Sequence, residues 1–563
     1  MPRTLVILTG LLAVPAAAAP PAGVARPVNA DAARRQLGLL PEYARPAGLQ
    51  NVTVAVFDSG FAGFDGKRPY LPPTAVLVEH YDRDFVRRNN LGDPDFTKGL
   101  DPADPHGRVM AQLVWAMTGN DPAGPRFLLL NANGPTMFRR AVRYAVEQKA
   151  DIILFSGTFE GAGNYDGRGP MAAAVDEAVA AGVIWVNAAG NAGGRVYNGP
   201  VAVREDGYVF FTGTPLPTAL RLANRFDEAA VTVTLTWNDY RDTEDAGTDK
   251  DLDLIVEDAA GKVVGESRLR QVPGGRAAGE GESKNPRERV VLTDLPAVPA
   301  GSEYRIRVKA VAGAFGPRDR LRVLVTPAKD APFPDPATGK MTLPVELLDA
   351  TAGGEVYPPA DHAGVLAVGD GNRASALGPT ADGRVKPDVV MPASVARFSN
   401  GEESAGSSNA AAYFAGVAAV LRAREPGLRA DHLKAWVRRL DAGLPGTRPV
   451  AAAPPVEAGP ELNVLTAGPG GVALTPNQQR ALRHVDWAMQ DRTRQPGLAP
   501  LIEVSGPRGT LRIGGTGPAP LPPAPPPAAR AQAPPEPVVK RPPPPHAAWV
   551  TPSPASLTNL VRR

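Results

Sequence analysis

Between Val52 and Asn187, apolar runs of strand length alternate with stretches of helical spacing, and this alternation limits the fold more than any other feature. Val52–Phe57, Phe127–Asn131, Ile152–Phe155 and Val183–Asn187 read as strands. Gly107–Thr118 reads as a helix because Val109, Leu113, Val114 and Met117 recur at helical spacing. Phe138–Gln148 and Pro170–Ala181 read as two more helices. Strands joined through helices of this length form a parallel sheet covered on both faces. In such sheets ligands sit at the carboxyl ends of the strands. Asp58 and Ala188–Asn191 fall at two of those ends.

The pattern then changes. Val231–Trp237, Leu252–Glu257, Val263–Glu266, Val290–Leu292, Tyr304–Ala310 and Leu321–Thr326 are short alternating runs separated by Gly, Pro and Asp. Six such runs predict an all-β sandwich. It lies inside the α/β unit, because strands resume at Val365–Gly369 and Val389–Met391, followed by helices at Ser408–Ala423 and Ala430–Leu440. Exposed loops accept insertions of this size at small entropic cost. The expected order is a signal peptide at 1–19, a first α/β part at 24–200 and a sandwich at 201–330. A second α/β part follows at 345–445, then a linker with a helix at Pro476–Arg492 within 446–516, and a tail at 517–563. Arg3, the apolar Leu5–Val14 and the small residues Ala16–Ala19 are the parts of a secretory signal. The protein is therefore expected outside the cytoplasm, in the periplasm, at the surface or in the medium. No segment is long and apolar enough for a membrane span. The tail packs 14 prolines into positions 517–545, so a disordered, polyproline-like spacer is expected there, with a cell wall or a Pro-binding domain as its candidate partner.

Composition narrows the chemistry. The 563 residues contain no cysteine, which excludes disulfides, thiolate metal sites and a thiol nucleophile. The net charge of +3 gives no field for nucleic acid. A covalent nucleophile would be Ser, Thr, Lys or a carboxylate. Gly406-Ser407-Ser408 runs straight into a helix of small residues, Asn409-Ala410-Ala411-Ala412-Tyr413-Phe414-Ala415-Gly416. A serine there has helix N-terminal N–H groups beside it, which favour a developing oxyanion.

This stretch resembles the nucleophile motif of the subtilisin-like serine proteases (subtilases), G-T-S-x-A-x-P-x-V-A-G, with Ser408 as nucleophile and Ser407 in the Thr position. Val54–Gly60 resembles the family's D-S-G aspartate motif at Asp58, and His106-Gly107-Arg108-Val109-Met110-Ala111 its histidine motif. Ala188-Ala189-Gly190-Asn191 resembles its oxyanion motif. Ala150–Gly157 is similar to its substrate-binding strand, and Gly378–Asp388 to the G-P-T-x-D-G-R-x-K-P-D segment. The order Asp, His, Asn, Ser is that of the family. The resemblance covers about 50–200 and 350–440. It implies a secreted serine endopeptidase acting on proteins or peptides. Asp58 would orient His106, His106 would take the proton of Ser408, and Asn191 with the Ser408 N–H would hold the oxyanion. Ser156, Gly157, Ala189 and Gly190 would line the substrate. Glycines at 157, 161 and 163 favour an apolar P1 side chain.

Two departures stand out. Ala412 replaces the family's proline, so the serine could shift. Arg108 replaces a small residue; if close in space to His106, its cation would lower the imidazole pKa or recruit acidic substrates. No cofactor is required. Calcium is the candidate structural ion, with Asp251 and Asp253 as weak ligand candidates in strands resembling jelly-roll modules of secreted bacterial proteases. An inactive binding protein of the same fold and a peptidase acting on its own chain are the alternatives.

Overall fold

Alternation along each strand sorts side chains to the two faces of one sheet. In a computed structural model, the described residues are 27–441, except 38, 40–46, 65–70, 72, 92–94, 242–246, 273–280, 329–332, 335–340, 371, 392–394, 400 and 402, together with 502–506 and 509–513. The expected signal peptide, the Pro476–Arg492 helix and the Pro-rich tail lie outside them. Backbone proximity divides the chain into Met1–Gly515 and Thr516–Arg563. The described residues all fall in the first unit.

Seven strands form a parallel sheet in the order Ala75–Leu77, Arg126–Asn131, Thr53–Asp58, Ile152–Phe155, Ile184–Ala188, Val365–Asp370, Val389–Met391. Val54, Val56, Leu129, Leu154 and Val186 point to one face. Ala55, Phe57, Leu128, Ile153 and Trp185 point to the other. The first face is covered by helices His106–Met117 and Ser407–Arg424, the second by Gly134–Glu147 and Ala172–Ala180. The Thr53–Asp58 strand lies between Arg126–Asn131 and Ile152–Phe155, so the strand order reverses there. The register puts Asp58 beside Asn131, and Phe57 beside Phe155, at the carboxyl edge.

Several elements escape the period reading. Gly134–Glu147 starts four residues before Phe138, because Pro135 suits a first helical turn. Ala75–Leu77 is too short to show alternation, and Arg83–Arg88 too polar to show a face.

Helix Ser407–Arg424 is buried on every side through Leu421, as an all-round apolar helix must be. It runs unbroken through Ala412, so the missing proline leaves a continuous helix whose first turn carries Ser408. Gly416 is where it meets helix His106–Met117: a Cβ there would collide with Met117 Cβ and lie 3.1 Å from the Val114 carbonyl. The Gly378–Asp388 segment has a visible structural role. Buried Lys386 donates to the His362 and Val365 carbonyls and to Asp388 Oδ2, at 2.9, 2.8 and 2.7 Å. Lys434 reaches the other Asp388 oxygen at 2.8 Å.

Two larger antiparallel sheets accompany the parallel one. One has the order Val263–Ser267, Asp251–Glu257, Tyr304–Ala312, Leu220–Asn224, Val345–Leu347. The other has Arg287–Leu295, Ala229–Trp237, Arg320–Pro327, Val196–Pro200. Leu222, Val233, Leu235, Leu254, Ile306 and Val323 of both sheets share one apolar cluster. Their strands run from Val196 to Leu347, wider than 201–330. Val196–Pro200, Leu220–Asn224 and Val345–Leu347 are too short for the alternation to declare them. In the stretch expected to link core and tail, Ile502–Gly506 pairs antiparallel with Gly509–Ile513. Among the described residues no helix is long and apolar enough to cross a membrane.

The helix contact at Gly416 has a measurable consequence. Gly416→Ala should lower unfolding free energy by about 1–3 kcal/mol through overpacking. Gly427→Ala, with nothing within 4 Å of its Cβ, should stay within about 0.5 kcal/mol of the parent. Urea unfolding followed by circular dichroism compares the two, and equal midpoints would show that the helices do not depend on this contact.

Candidate active site

Three chain ends converge at the carboxyl edge of the parallel sheet. Asp58 closes its strand with a nearly buried carboxylate. Its Oδ1 accepts the Ser59 N–H at 2.9 Å, and its Oδ2 lies 2.8 Å from His106 Nδ1. The carboxylate therefore fixes the Nδ1–H tautomer and leaves Nε2 for the reaction. His106 is the first residue of its helix. Its N–H donates to Asp104 Oδ1 at 2.9 Å, and Ser59 Oγ donates to Asp104 Oδ2 at 3.3 Å. Gly107 makes the approach fit, since a Cβ there would lie 2.5 Å from Asp58 Cβ. Burial alone would lower the imidazole pKa. The Asp58 charge and hydrogen bond, joined by the Asp104 charge, outweigh it and push His106 up to about 9.

The Arg108 expectation is corrected by this geometry. Its buried guanidinium turns away, donating from Nε to the Ala62 carbonyl at 2.7 Å and from Nη1 to Gln112 Oε1 at 3.1 Å. The imidazole is raised, not lowered, because carboxylates rather than a cation face it.

Ser408 sits in the first turn of helix Ser407–Arg424. Its Oγ donates to the Ser156 carbonyl at 3.0 Å. Among the described hydrogen bonds none joins Ser408 Oγ to His106. A protonated imidazole has no lone pair at Nε2 to accept a hydroxyl, so this resting direction agrees with a raised His106 pKa.

Ser407 is the residue whose part the motif alone leaves unstated. Buried Ser407 donates from Oγ to Asn191 Oδ1 at 3.0 Å and from N–H at 3.2 Å, while its Oγ accepts the Gly190 N–H at 3.1 Å. With Oδ1 held in this way, the planar amide directs its NH₂ away from Ser407. The preceding Gly406 has φ of +138°, a conformation that favours glycine. Asp104 is the second residue outside the motifs. Its signal is local: an Asp two residues before a helix-starting His, in reach of that N–H.

The expected substrate-lining residues form two facing edges. Ser156 offers its carbonyl to Ser408, and the Gly157 carbonyl accepts Asn187 Nδ2 at 3.0 Å. Ala189 extends its strand, donating to the Val368 carbonyl at 2.8 Å, and Gly190 has φ of +101°. A Cβ on Gly190 would lie 3.6 Å from both Thr158 Cγ2 and Ala376 Cβ.

Asp251 and Asp253 lie elsewhere, on the Asp251–Glu257 strand, lining a cavity of about 490 Å³ with Arg268 and Arg270. Burial and the Asp253 charge push Asp251 up to about 6. Among the described residues no group of three or more His, Asp or Glu side chains is gathered to hold a metal.

Residues 337–446 match the subtilase family (peptidase S8). That stretch holds Ser407, Ser408 and the Lys386–Asp388 pair, whereas Asp58, His106 and Asn191 lie outside it. No curated protein matches the chain. Among solved structures, the CspB protease of Clostridium perfringens is 14% identical over 69% of this chain and 86% of that one, with a TM-score of 0.40. MycP1 from Mycobacterium smegmatis is 15% identical over 73% of this chain and 77% of that one, with a TM-score of 0.29.

A raised imidazole pKa sets the pH dependence of any reaction that uses His106 as a base. The neutral form is required, so kcat/KM should climb through neutrality toward a midpoint of about 9. Asp104→Asn removes one raising charge and should move that midpoint to lower pH. A pH–rate series on parent and variant reads both, and an unmoved midpoint would remove Asp104 from the electrostatics.

Proposed function

We propose that this chain, a serine peptidase carrying a subtilase-family domain, is an exported endopeptidase that hydrolyses protein or peptide substrates through Asp58, His106 and Ser408. The observation that carries the reading is the 2.8 Å contact of a buried carboxylate with His106, at the same sheet edge as a serine in a helix first turn. A peptide main chain would lie between the Ser156–Gly157 and Ala189–Gly190 edges. Ser408 Oγ, turned from the Ser156 carbonyl to His106 Nε2, attacks the scissile carbonyl while His106 takes its proton. The tetrahedral oxyanion is held by Asn191 Nδ2 and the Ser408 N–H, with Ser407 positioning the amide. His106 then gives the proton to the leaving amine, and water repeats the sequence to release the acyl group. Asp58 orients the imidazole and stabilises its charged form. Glycines 157, 161 and 163 favour an apolar P1 side chain.

No cofactor enters these steps. In this reading the Val196–Leu347 strands are a β-sandwich inserted between two catalytic parts. The signal-like 1–19 accounts for export, and the Pro-rich tail serves as spacer or ligand.

One observation favours a second reading. Ser408 Oγ donates to a carbonyl rather than to His106, as a catalytically idle fold would allow. Casein separates the two. The mature protein should cleave it with sensitivity to phenylmethylsulfonyl fluoride, and Ser408→Ala should abolish cleavage of casein and of the chain itself. Asn191→Ala should lower kcat about 100- to 1,000-fold with little change in KM. Loss of neither substrate nor self-cleavage in Ser408→Ala would overturn the mechanism. Self-cleavage alone would mark a peptidase for its own chain.

A further inference from the structure

The chain leaving the substrate edge has little to hold it by itself. From Ser156 to Gly169 it forms no helix or strand and contains five glycines, at 157, 161, 163, 167 and 169. Three of these, Gly161, Gly167 and Gly169, have positive φ, at +85°, +76° and +113°. A segment this rich in glycine loses much conformational entropy when ordered, so it needs outside partners. The Gly353–Arg384 side supplies some. Phe159 N–H donates to the Pro358 carbonyl at 2.7 Å, and Arg384 Nη2 to the Asp166 carbonyl at 2.7 Å.

The antiparallel sheets supply others, at Gly161, Asn164 and Tyr165. Asn164 Nδ2 donates to the Tyr240 carbonyl at 2.7 Å, while Tyr240 N–H donates to Asn164 Oδ1 at 2.8 Å. Tyr240 OH donates to the Gly161 carbonyl. Tyr165 OH bonds Thr236 Oγ1, and the buried Arg322 guanidinium stacks 3.6 Å from the Tyr165 ring centroid. Gly161 lies so close to the sheet that a Cβ would stand 2.9 Å from Thr236 Cγ2. Thr236, Tyr240 and Arg322 all belong to, or directly follow, strands of the four-stranded antiparallel sheet.

We propose that the antiparallel sheets position the substrate edge of the peptidase: through Tyr240 and Thr236 they hold Gly161, Asn164 and Tyr165, and thereby fix Ser156–Thr158. The inference rests on the peptidase reading above. Asp58, His106 and Ser408 depend on the parallel sheet and on the helix contact at Gly416, neither of which uses these bonds. Cutting them therefore loosens substrate docking and P1 discrimination while leaving turnover of docked substrate intact. Tyr240 and Asn164 are positioning residues.

The full chain is compared with Asn164→Ala and Tyr240→Phe, and with Val264→Thr on the far edge of the other antiparallel sheet as control. Peptide p-nitroanilides differing at P1 give KM, kcat and P1 ranking, and hydrogen–deuterium exchange reads the amides of 157–169. Asn164→Ala should raise KM about 10-fold or more, since small misplacement of a docking edge is costly. Its kcat should stay within about twofold, its P1 ranking should flatten, and exchange should quicken at 157–169 alone. Tyr240→Phe should do the same more weakly, and Val264→Thr should match the parent. Faster exchange with parental KM and P1 ranking overturns the proposal. So does a proportional loss of kcat with thermal stability, which marks a merely structural role. Unchanged exchange overturns it whatever the parent cleaves. A parent without Ser408-dependent cleavage whose variants still exchange faster would overturn the peptidase reading and leave the clamp standing.

Discussion

Everything at the site hangs on the packing of two helices at Gly416. His106 begins one and Ser408 lies in the first turn of the other, so their separation is set by how closely the two axes approach. Glycine at the crossing lets Met117 and the Val114 carbonyl come within contact distance. Both helices lie on the same face of the parallel sheet, and Asp58 ends one of its strands beneath them. Gly107 serves the same purpose one step outward, where the His106 turn meets the Asp58 turn. Interiors packed at crystalline density do not absorb such changes locally, so a methyl group at either glycine would be transmitted to the reacting atoms.

The carboxylates around His106 do two things that pull in different directions. The Asp58 contact orients the ring and favours its charged form. Together with Asp104 it also makes the imidazolium the resting form near neutrality. The Ser408 hydroxyl turns to the Ser156 carbonyl. That carbonyl belongs to the substrate edge. In the proposed reading, a peptide lying along Ser156–Gly157 and the serine hydroxyl compete for the same oxygen.

A chain without cysteine joins its two kinds of sheet by other means. Arg322, buried against Tyr165 and close to Tyr357, contributes a cation over aromatic faces where a disulfide would otherwise serve. The reciprocal Asn164–Tyr240 hydrogen bonds satisfy backbone groups that no strand pairs. On the other flank, Lys386 is buried with three acceptors, which is the condition for a charge to sit inside a protein at all.

Much of this was legible beforehand, for reasons that differ by element. Val52–Phe57 and Ile152–Phe155 were readable because strands buried on both faces are continuously apolar. Asp58, His106, Asn191 and Ser408 stood out in the sequence through their resemblance to subtilase motifs, and the structure sets Asp58 against His106 and Ser407 against Asn191. Leu220–Asn224 and Ala75–Leu77 were not, since three to five residues carry no resolvable period. Arg108 was misread because adjacency in sequence says nothing about which way a side chain leaves a helix. By itself the sequence determined the order of strands and helices, the parallel sheet with helices on both faces, and the candidate residues. Only the tertiary structure decided that Ser407 holds the Asn191 amide, that Ser408 rests on Ser156, and that Tyr240 grips the substrate edge. Those contacts join residues 76 to 252 positions apart. Their distances follow from strand register and helix packing, and no local pattern encodes either.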